Sequence, residues 1–444
     1  MSYTVILKGS WLIKITIHRG AKEIGGTLID LQSENSRIIL DIGFPLFLDG
    51  NAVEKDLKQK TTQELLDLGV LPKISGLYSW EKPKVDAVLI SHAHLDHYGL
   101  LNFVHPKIPI YMSTATREIV NFNNRYVGNT AMAGEIRTFQ MYEPFVIGDF
   151  RVMPFLMDHS AFDAVAFEIN AHGKTLVYTG DFRGHGRKSV CLERFIKGVK
   201  KNADLLLIEG TLMGRQDKTS MTEQELENRI VESSRNCTGA ILFQSSSQNI
   251  DRLVSFYRAS KRLGRLFVID VYNANVLYML SQIRHSGLPR PSAKFPNLKV
   301  FYPHSQTKYI YKTIGEEFAK RFSSFYISKD ELKKKEGRVF MLARPSMIRD
   351  IEKIGFQDGL FIYSLWSGYR EGELQKKFES VLSRLGFQLI SLHTSGHADV
   401  DDLKRVIDAL MPKQIVPIHT NQPEDFKHLS DMVKLPDNGV SFYV

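Results

Sequence analysis

The chain has 444 residues, of which 43% are hydrophobic and 24% charged, an ordinary composition for a soluble globular protein of several domains. Its net charge of +9 is compatible with a polyanionic partner such as nucleic acid, and equally with an ordinary solvated surface. The two cysteines, Cys191 and Cys237, are far apart, which argues against a disulfide framework and a cysteine zinc site. No signal peptide or long apolar segment is evident, so we expect a cytoplasmic protein with no membrane partner.

The first part of the chain reads as short strands separated by turns. The runs WLIKITIH, GGTLIDL and RIILDIG predict a meander of strands that ends near Asp41. A helical pattern follows at about 53–69, and an apolar run at 85–90 predicts another strand. Strand-like runs at FVIGDFRVMPFLM, VAFEIN, TLVYTGD and ADLLLIEG, with helical segments between several of them, predict a layered α/β domain.

A change of pattern near residue 215 indicates an inserted second domain. The strand-like run GAILFQ is followed by a helical pattern that ends at Gly264 and by the strand-like run LFVID, which together form a βαβ unit. The first pattern returns with a helix at about 371–385, the run FQLISLH, a helix at about 400–410 and the run QIVPIH. The expected division is a first part at 1–215, an inserted domain at 216–365 and a returning part at 366–444.

The stretch SHAHLDHYGL places His92, His94, Asp96 and His97 directly after the strand predicted at 85–90. A lone histidine is usually an ordinary core or surface residue, but this density of imidazoles and a carboxylate costs stability unless a metal binds them. Both groups are natural ligands of zinc and manganese. We therefore interpret HAHLDH as a metal site.

Further candidate ligands follow apolar strands elsewhere in the chain. They are His159 in MDHS, Asp181 in YTGDF and His419 in PIHT. Each is a weak signal alone. A site at the edge of a sheet would collect them, and two metals need more ligands than HAHLDH supplies.

Taken together, the motifs resemble those of the metallo-β-lactamase superfamily and, within it, the β-CASP nucleases. The closest likeness is to a short ribonuclease J that lacks the carboxyl-terminal domain of full-length members. The resemblance rests on Asp41 in LDIG, HAHLDH, His159 in DHS, Asp181 in TGDFR, Glu209 in LIEGT, His397 in TSGHA and His419 in PIHT. It implies an α/β fold, namely a metallo-β-lactamase αββα sandwich with an inserted β-CASP α/β domain.

The resemblance also implies two divalent metal ions, zinc by preference and manganese as the alternative. The implied ligands are His92, His94 and His159 for one ion, Asp96, His97 and His419 for the other, and Asp181 between them. Asp41 would lie behind the ligands and orient an imidazole. The residues expected to carry catalysis are Asp96, Asp181, Glu209 and His397, with His397 as general acid and Glu209 holding its orientation.

Substrate contacts are expected from two polar segments. Helix amino ends bind anions, so the run QSSSQNIDR suggests phosphate contacts, joined by one residue of TSGHA. The residues concerned are Ser245, Ser246, Ser247, Gln248 and Ser395. The alternative for each segment is an ordinary helix cap, with Asp399 capping the helix after TSGHA and His397 incidental.

The implied activity is hydrolysis of RNA phosphodiester bonds through two-metal activation of a bridging hydroxide. Histidine at the final motif accompanies RNA-directed members of the family, so His419 favours RNA as the partner over DNA. A DNA nuclease or another phosphodiesterase of the superfamily, and a catalytically silent RNA-binding subunit, stay open as alternatives. Internal cutting and cutting from an end are equally compatible with the motifs, and a homodimer is one possible assembly.

Overall fold

The computed structural model of the protein describes residues 12–48, 51–53, 60–127, 134–215, 220–283 and 286–444. Of the helix predicted at about 53–69, residues 54–59 lie outside the described residues, and the described part is helical at Thr62–Asp67. The boundary predicted at 215–216 adjoins 216–219, which also lie outside them. Within the described ranges, no helix is long and apolar enough to cross a lipid bilayer.

The strands are β1 Lys14–Arg19, β2 Leu28–Gln32, β3 Arg37–Leu40, β4 Phe47–Leu48, β5 Asn51–Ala52, β6 Ala87–Leu89, β7 Ile110–Met112, β8 Ile136–Thr138, β9 Phe145–Ile147, β10 Phe150–Leu156, β11 Val165–Ala171, β12 Lys174–Tyr178, β13 Leu205–Glu209, β14 Ile241–Gln244, β15 Leu266–Asp270, β16 Leu298–Phe301, β17 Val339–Leu342, β18 Leu360–Tyr363, β19 Gln388–Ser391, β20 Ile415–Ile418 and β21 Ser441–Tyr443. The α-helices are α1 Thr62–Asp67, α2 Leu95–Tyr98, α3 Thr114–Tyr126, α4 Val190–Gly198, α5 Glu223–Ser234, α6 Ile250–Arg262, α7 Val271–Gln282, α8 His304–Thr313, α9 Glu316–Lys320, α10 Lys329–Lys334, α11 Ile348–Ile354, α12 Glu373–Arg384 and α13 Val400–Leu410.

Two sheets pack face to face and form the sandwich. The first has the strand order β21-β1-β2-β3-β6-β7-β8 and the second β20-β13-β12-β11-β10-β9. Because side chains alternate along a strand, Ile38 and Leu40 of β3 point into the core shared by the two sheets, whereas Ile39 points the other way. Phe195 of α4 and Leu403 of α13 pack on the outer face of the second sheet. The αββα architecture expected from the sequence is confirmed.

The strand directions bring the candidate residues to one edge of each sheet. In the first sheet β3 and β6 are parallel. In the second, β12, β13 and β20 are parallel, and β10 shares their direction because β11 runs antiparallel to both β10 and β12. The residues at or just after these carboxyl ends are Asp41 after β3, His92 after β6, His159 after β10, Asp181 after β12, Glu209 at the end of β13 and His419 after β20.

The inserted domain is a parallel sheet with the strand order β16-β15-β17-β14-β18-β19. The expectation that the insertion ends at residue 365 is wrong. Strand β19 pairs in parallel with β18, and Phe378 and Leu382 of α12 pack in the same core as Phe361 of β18. The helix and strand assigned to the returning part therefore belong to the third sheet, which extends to residue 391.

A buried ion cluster joins this domain to the sandwich. Arg183, in the loop after β12, donates from Nη1 to Glu223 Oε1 at 3.4 Å, and Arg252 donates from Nη2 to the same oxygen at 3.0 Å. Ser255 Oγ donates to Glu223 Oε2 at 2.7 Å. All three charged side chains are fully buried. We call Arg183, Glu223 and Arg252 the interdomain ion cluster.

Candidate metal centre

Three histidines from two segments of the chain meet at the edge of the sandwich. His94 Nδ1 lies 3.2 Å from His92 Nε2 and also 3.2 Å from His159 Nε2. His92 and His159 are fully buried. This group is the set expected from the sequence to hold one metal ion.

The surrounding protein engages Nδ1 of His159 and Nδ1 of His92. His159 Nδ1 donates to the carbonyl oxygen of Gly396 at 2.5 Å. His92 Nδ1 lies 3.0 Å from Ser91 Oγ, and that hydroxyl donates to Asp41 Oδ2 at 2.7 Å, so it accepts a hydrogen bond from His92 Nδ1. The Nε2 atoms of His92 and His159 are therefore left with lone pairs that face the centre of the group, which is the arrangement of metal-binding histidines.

A second group forms beside the first. His419 Nε2 lies 3.2 Å from Asp96 Oδ2, and His97 Nε2 lies 4.0 Å from the same oxygen. Asp181 stands between the two groups. Its Oδ2 lies 3.2 Å from His97 Nε2, 3.7 Å from His92 Nε2 and 4.0 Å from His159 Nε2 and His419 Nε2.

The donor atoms in this cluster fit a cation. Among the described residues, His97 Nε2 and Asp181 Oδ2 are buried and have no hydrogen-bond partner of good geometry. A buried polar atom without a partner is costly, and two of them facing each other are satisfied when both bind one cation. Imidazole nitrogens and carboxylate oxygens are the ligands that zinc and manganese accept.

The pKa values agree with this interpretation. Burial and the neighbouring imidazoles hold the pKa of His92 and His159 well below the usual range, and burial lowers the pKa of His94 to about 4. These imidazoles are neutral, which is the form that binds metals. Burial would also lower the pKa of His97, but the charges of Asp181, Asp41 and Asp96 raise it well above the usual range. The cluster therefore attracts positive charge at this point.

Asp41 lies behind the ligands, as expected from the sequence. Its Oδ1 accepts from the Ser91 backbone N–H at 2.7 Å, and its Oδ2 accepts from His97 Nδ1 at 2.7 Å and from the Tyr178 hydroxyl. These bonds orient His97 so that Nε2 faces Asp181. Asp41 and His419 both have positive φ, 56° and 52°, a strained conformation for residues other than glycine that is typical of functional sites.

His397 and Glu209 form the pair expected from the sequence. His397 Nδ1 lies 3.2 Å from Glu209 Oε2 and 3.6 Å from Asp181 Oδ2. Glu209 is fully buried and also accepts from the Phe182 backbone N–H at 2.9 Å, which keeps the carboxylate in place. Burial would lower the pKa of His397, but the charges of Glu209 and Asp181 raise it to about 9.

Thr211 is a site residue that the sequence reasoning missed. Its hydroxyl lies 3.1 Å from His397 Nδ1 and 2.9 Å from His419 Nδ1, so one oxygen connects two imidazoles of the site. The signal was present in the LIEGT motif, where Thr211 follows two residues after Glu209.

The residues expected to contact phosphate fall into separate places. Ser395 Oγ accepts from the His397 backbone N–H at 3.1 Å, so it shapes the loop that carries His397. Ser246, Ser247 and Gln248 line a pocket of about 240 Å³. Its other lining residues are Tyr126, Tyr272 and Arg344.

The remaining serine and the helix cap differ from the expectation. Ser245 is buried and is absent from the pocket lining. The cap of α6 is Asn249, whose side chain accepts from the Arg252 backbone N–H, so the serines before it are not the cap. Arg344 Nη2 donates to Ser247 Oγ at 3.2 Å and pairs with the buried Asp270 Oδ2 at 2.9 Å, so a guanidinium group with a carboxylate behind it lines the pocket.

Comparison with known proteins agrees with the fold and with the motifs. Residues 75–236 match the family described as Beta-lactamase superfamily domain, and this segment contains HAHLDH, His159 and Asp181. Residues 385–433 match the family described as Zn-dependent metallo-hydrolase RNA specificity domain, and this segment contains His397 and His419.

Two relatives cover most of the chain. Ribonuclease J of Helicobacter pylori strain B128 is 21% identical over 429 residues, which are 94% of this chain and 57% of that protein. Ribonuclease J of Methanocaldococcus jannaschii is 25% identical over 444 residues, which are 94% of this chain and 92% of that protein. The chain thus spans little more than half the length of the Helicobacter relative.

A solved structure shares the whole fold. The crystal structure of a protein of unknown function from Enterococcus faecalis V583 has a TM-score of 0.78 and 21% identity, and it covers 98% of this chain and 100% of that chain. The family matches, the relatives and the sandwich with its inserted parallel sheet agree with one another. The chain therefore contains a metallo-β-lactamase superfamily domain, matched at 75–236, and a Zn-dependent metallo-hydrolase RNA specificity domain, matched at 385–433, with a parallel sheet inserted in the sandwich.

Proposed function

We propose that the protein is a metal-dependent ribonuclease that hydrolyses phosphodiester bonds of RNA. The observation that carries the proposal is the meeting of the ligand cluster and the His397–Glu209 pair at one edge of the sandwich. The named activity of the relatives and the matched RNA specificity domain at 385–433 support the same conclusion.

Two divalent cations, zinc by preference, would occupy the ligand cluster. The first group would hold one ion, and the second group the other, with Asp181 between them. When bound, such ions lower the pKa of a water molecule to near neutrality and neutralise the charge that develops on the phosphate. Asp41 would keep His97 in the orientation that presents Nε2.

His397 is proposed to protonate the leaving oxygen. Its Nδ1 faces Glu209 and Thr211, so Nε2 is the nitrogen on the opposite edge of the ring. The side chain is 22% exposed, in contrast to the buried ligands, and can reach a bound strand. Glu209 would hold the ring in this orientation and stabilise its protonated form.

RNA is the proposed substrate, with His419 completing the second group. The pocket of Ser246, Ser247 and Arg344 offers hydroxyl and guanidinium donors of the kind that bind phosphate. Ser395 would contact a phosphate oxygen beside His397. A cytoplasmic location and a homodimer stay predictions.

The test uses metal-reconstituted protein and one sequence made as 5′-monophosphorylated RNA and as DNA, each labelled at either end. We expect cleavage of RNA in preference to DNA, and loss of cleavage in Asp181→Ala and His397→Ala. The label pattern then gives the direction of cutting. Equal cleavage of DNA would favour a general nuclease, and no cleavage by protein with two bound metals would favour the silent RNA-binding subunit.

A second substrate isolates the role of His397. A diester with a p-nitrophenolate leaving group needs no proton on departure. Loss of a general acid costs about 10²- to 10⁴-fold on a natural substrate. We expect His397→Ala to lose that much on RNA and far less on the p-nitrophenyl diester. Equal losses on both substrates would contradict the general-acid role.

A further inference from the structure

Two large aromatic side chains are exposed on the loop between β18 and α12. Trp366 is 45% exposed and Tyr369 is 62% exposed, and their rings meet edge to face with centroids 5.4 Å apart. Exposing two neighbouring aromatic rings to water is unfavourable unless a partner covers them. We call these two residues the aromatic pair.

The loop holds the aromatic pair in a defined position. The hydroxyl of the fully buried Tyr363 donates to the Trp366 carbonyl oxygen at 3.1 Å, and the Tyr369 backbone N–H donates to the same oxygen at 3.1 Å. A Cβ on Gly368 would stand 2.3 Å from two carbons of the indole, so the ring lies directly against the backbone of this glycine. The rings are thus pre-organised, which reduces the entropy lost when a ligand stacks on them.

The loop of the aromatic pair begins beside the segment that carries His397. Arg252 Nη1 donates to Ser364 Oγ at 2.6 Å, and its Nη2 donates to the Thr394 carbonyl oxygen at 2.8 Å. Ser364 precedes Trp366 by two residues, and Thr394 precedes His397 by three. One buried guanidinium therefore holds the start of this loop next to the segment of the proposed general acid, close to the candidate metal centre.

We propose that the aromatic pair stacks unpaired nucleobases of the strand that enters the metal centre, and so selects single-stranded RNA. This inference rests on the ribonuclease function proposed above. Every base has a π-face, so stacking on aromatic side chains binds single strands with little regard to sequence. Bases inside a duplex are already stacked on their neighbours and cannot use these rings. The net charge of +9 favours the same polyanionic ligand.

A binding experiment tests the inference without cleavage. Trp366 is one of three tryptophans, and stacking on a base quenches indole fluorescence. In metal-loaded full-length His397→Ala protein, we expect single-stranded oligoadenylate to quench fluorescence and the matching duplex to leave it unchanged. Trp366→Phe should abolish the quenching. Undiminished quenching by oligoadenylate in Trp366→Phe would overturn the inference. Equal quenching of wild-type Trp366 by single strand and duplex would also overturn it.

Trp80 provides the matched control for this experiment. It is 42% exposed, close to the value for Trp366. It lies in the loop before β6, where its ring stacks on that of Tyr78 with the centroids 4.7 Å apart. Trp80→Phe should retain the oligoadenylate quenching. Loss of quenching in this variant in place of Trp366→Phe would locate the bases elsewhere and overturn the inference.

Steady-state kinetics give a second readout. We expect Trp366→Ala and Tyr369→Ala each to raise KM for single-stranded RNA about tenfold, with a smaller effect on kcat. Trp366→Phe and Tyr369→Phe should restore KM, because they keep a π-face. A loss of kcat/KM shared equally by RNA and bis(p-nitrophenyl) phosphate would overturn the inference, since the small diester has no base to stack.

The two proposals fail in different ways. Wild-type protein that shows the Trp366 quenching but cuts no RNA would contradict the ribonuclease function and leave the stacking site standing. If wild-type protein cuts single-stranded RNA, but substitution of the aromatic pair changes neither the quenching nor KM, the ribonuclease function stands and the stacking site is contradicted.

Discussion

Two buried clusters of charged side chains are built in opposite ways. In the interdomain ion cluster, Glu223 is fully buried and accepts from Arg183, Arg252 and Ser255. In the candidate metal centre, His97 Nε2 and Asp181 Oδ2 face each other at 3.2 Å with no hydrogen-bond partner of good geometry among the described residues. In the first cluster the charges are paired with one another and join two domains. In the second cluster donor atoms are left without such partners and can bind a ligand.

The largest expected effect is on catalytic activity, and it comes from a change in the candidate metal centre. Asp181→Ala should reduce RNA cleavage by about a thousandfold or more and lower the bound metal, because it removes the carboxylate between the two ligand groups. The free energy of unfolding of the metal-free protein should fall less than when Glu223 is changed, because Asp181 faces imidazoles that can release their proton, whereas Glu223 faces guanidinium groups that cannot. Cleavage rates, metal analysis and urea unfolding measure the activity, the bound metal and the free energy of unfolding, respectively. A metal-free protein strongly destabilised by this change would contradict the distinction.

The next largest effect is on stability. Glu223→Gln removes the charge that two buried guanidinium groups share, and breaking a buried ion pair typically costs about 3–5 kcal/mol. We expect a loss of that size in the free energy of unfolding, measured by urea denaturation, with the metal content of the folded protein retained. Glu225→Gln in the same helix is the control. Glu225 is exposed, so its loss should be much smaller.

Acid should weaken the same cluster. Burial would raise the pKa of Glu223, but the charges of Arg252 and Arg183 lower it to about 2, well below its value of 4.5 in an unfolded chain. The unfolded chain therefore binds the proton more tightly, and the contribution, about 3 kcal/mol, is present above pH 4.5 and lost as the pH falls towards 2. Urea unfolding of wild type should show this extra loss as the pH falls from 4.5 towards 2. An identical acid slope in Glu223→Gln would refute the assignment.

The smallest effect sharpens the description of the metal centre. Thr211→Val removes the hydroxyl that connects His397 and His419. Residues that orient ligand imidazoles typically contribute 10- to 100-fold, so we expect RNA cleavage to fall by about tenfold. Thr175→Val is the control. This hydroxyl is also buried, but it lies at the amino end of β12, whereas the site lies at the carboxyl ends of the strands. Equal losses in both variants would indicate a general packing effect.

Local motifs made most of the ligand cluster predictable. HAHLDH places its ligands within a few residues, and the remaining ligands each follow an apolar strand, so the carboxyl edge of the sandwich could be expected to collect them. The role of Thr211 could not be predicted in this way. Its partners lie 186 and 208 residues further along the chain, and only the folded sheet order brings them to one oxygen.

The prediction that the inserted domain ends at residue 365 was wrong for a related reason. The run FQLISLH carries a strand signal but no signal for the sheet that it joins. Pairing of β19 with β18 is decided by the crossover through α12, which packs Phe378 on the third sheet. The serine run likewise predicted a polar loop without showing that Ser245 turns inward while Ser246 and Ser247 face the pocket.

The order of the strands along the chain also determines when during synthesis the ligand cluster can be completed. His419 follows β20 and meets Asp96 from a position 323 residues later in the chain. A ribosome therefore releases HAHLDH long before the imidazole that completes the second ligand group is made. The complete cluster, and any hydrolysis that depends on it, must wait until residue 419 has emerged.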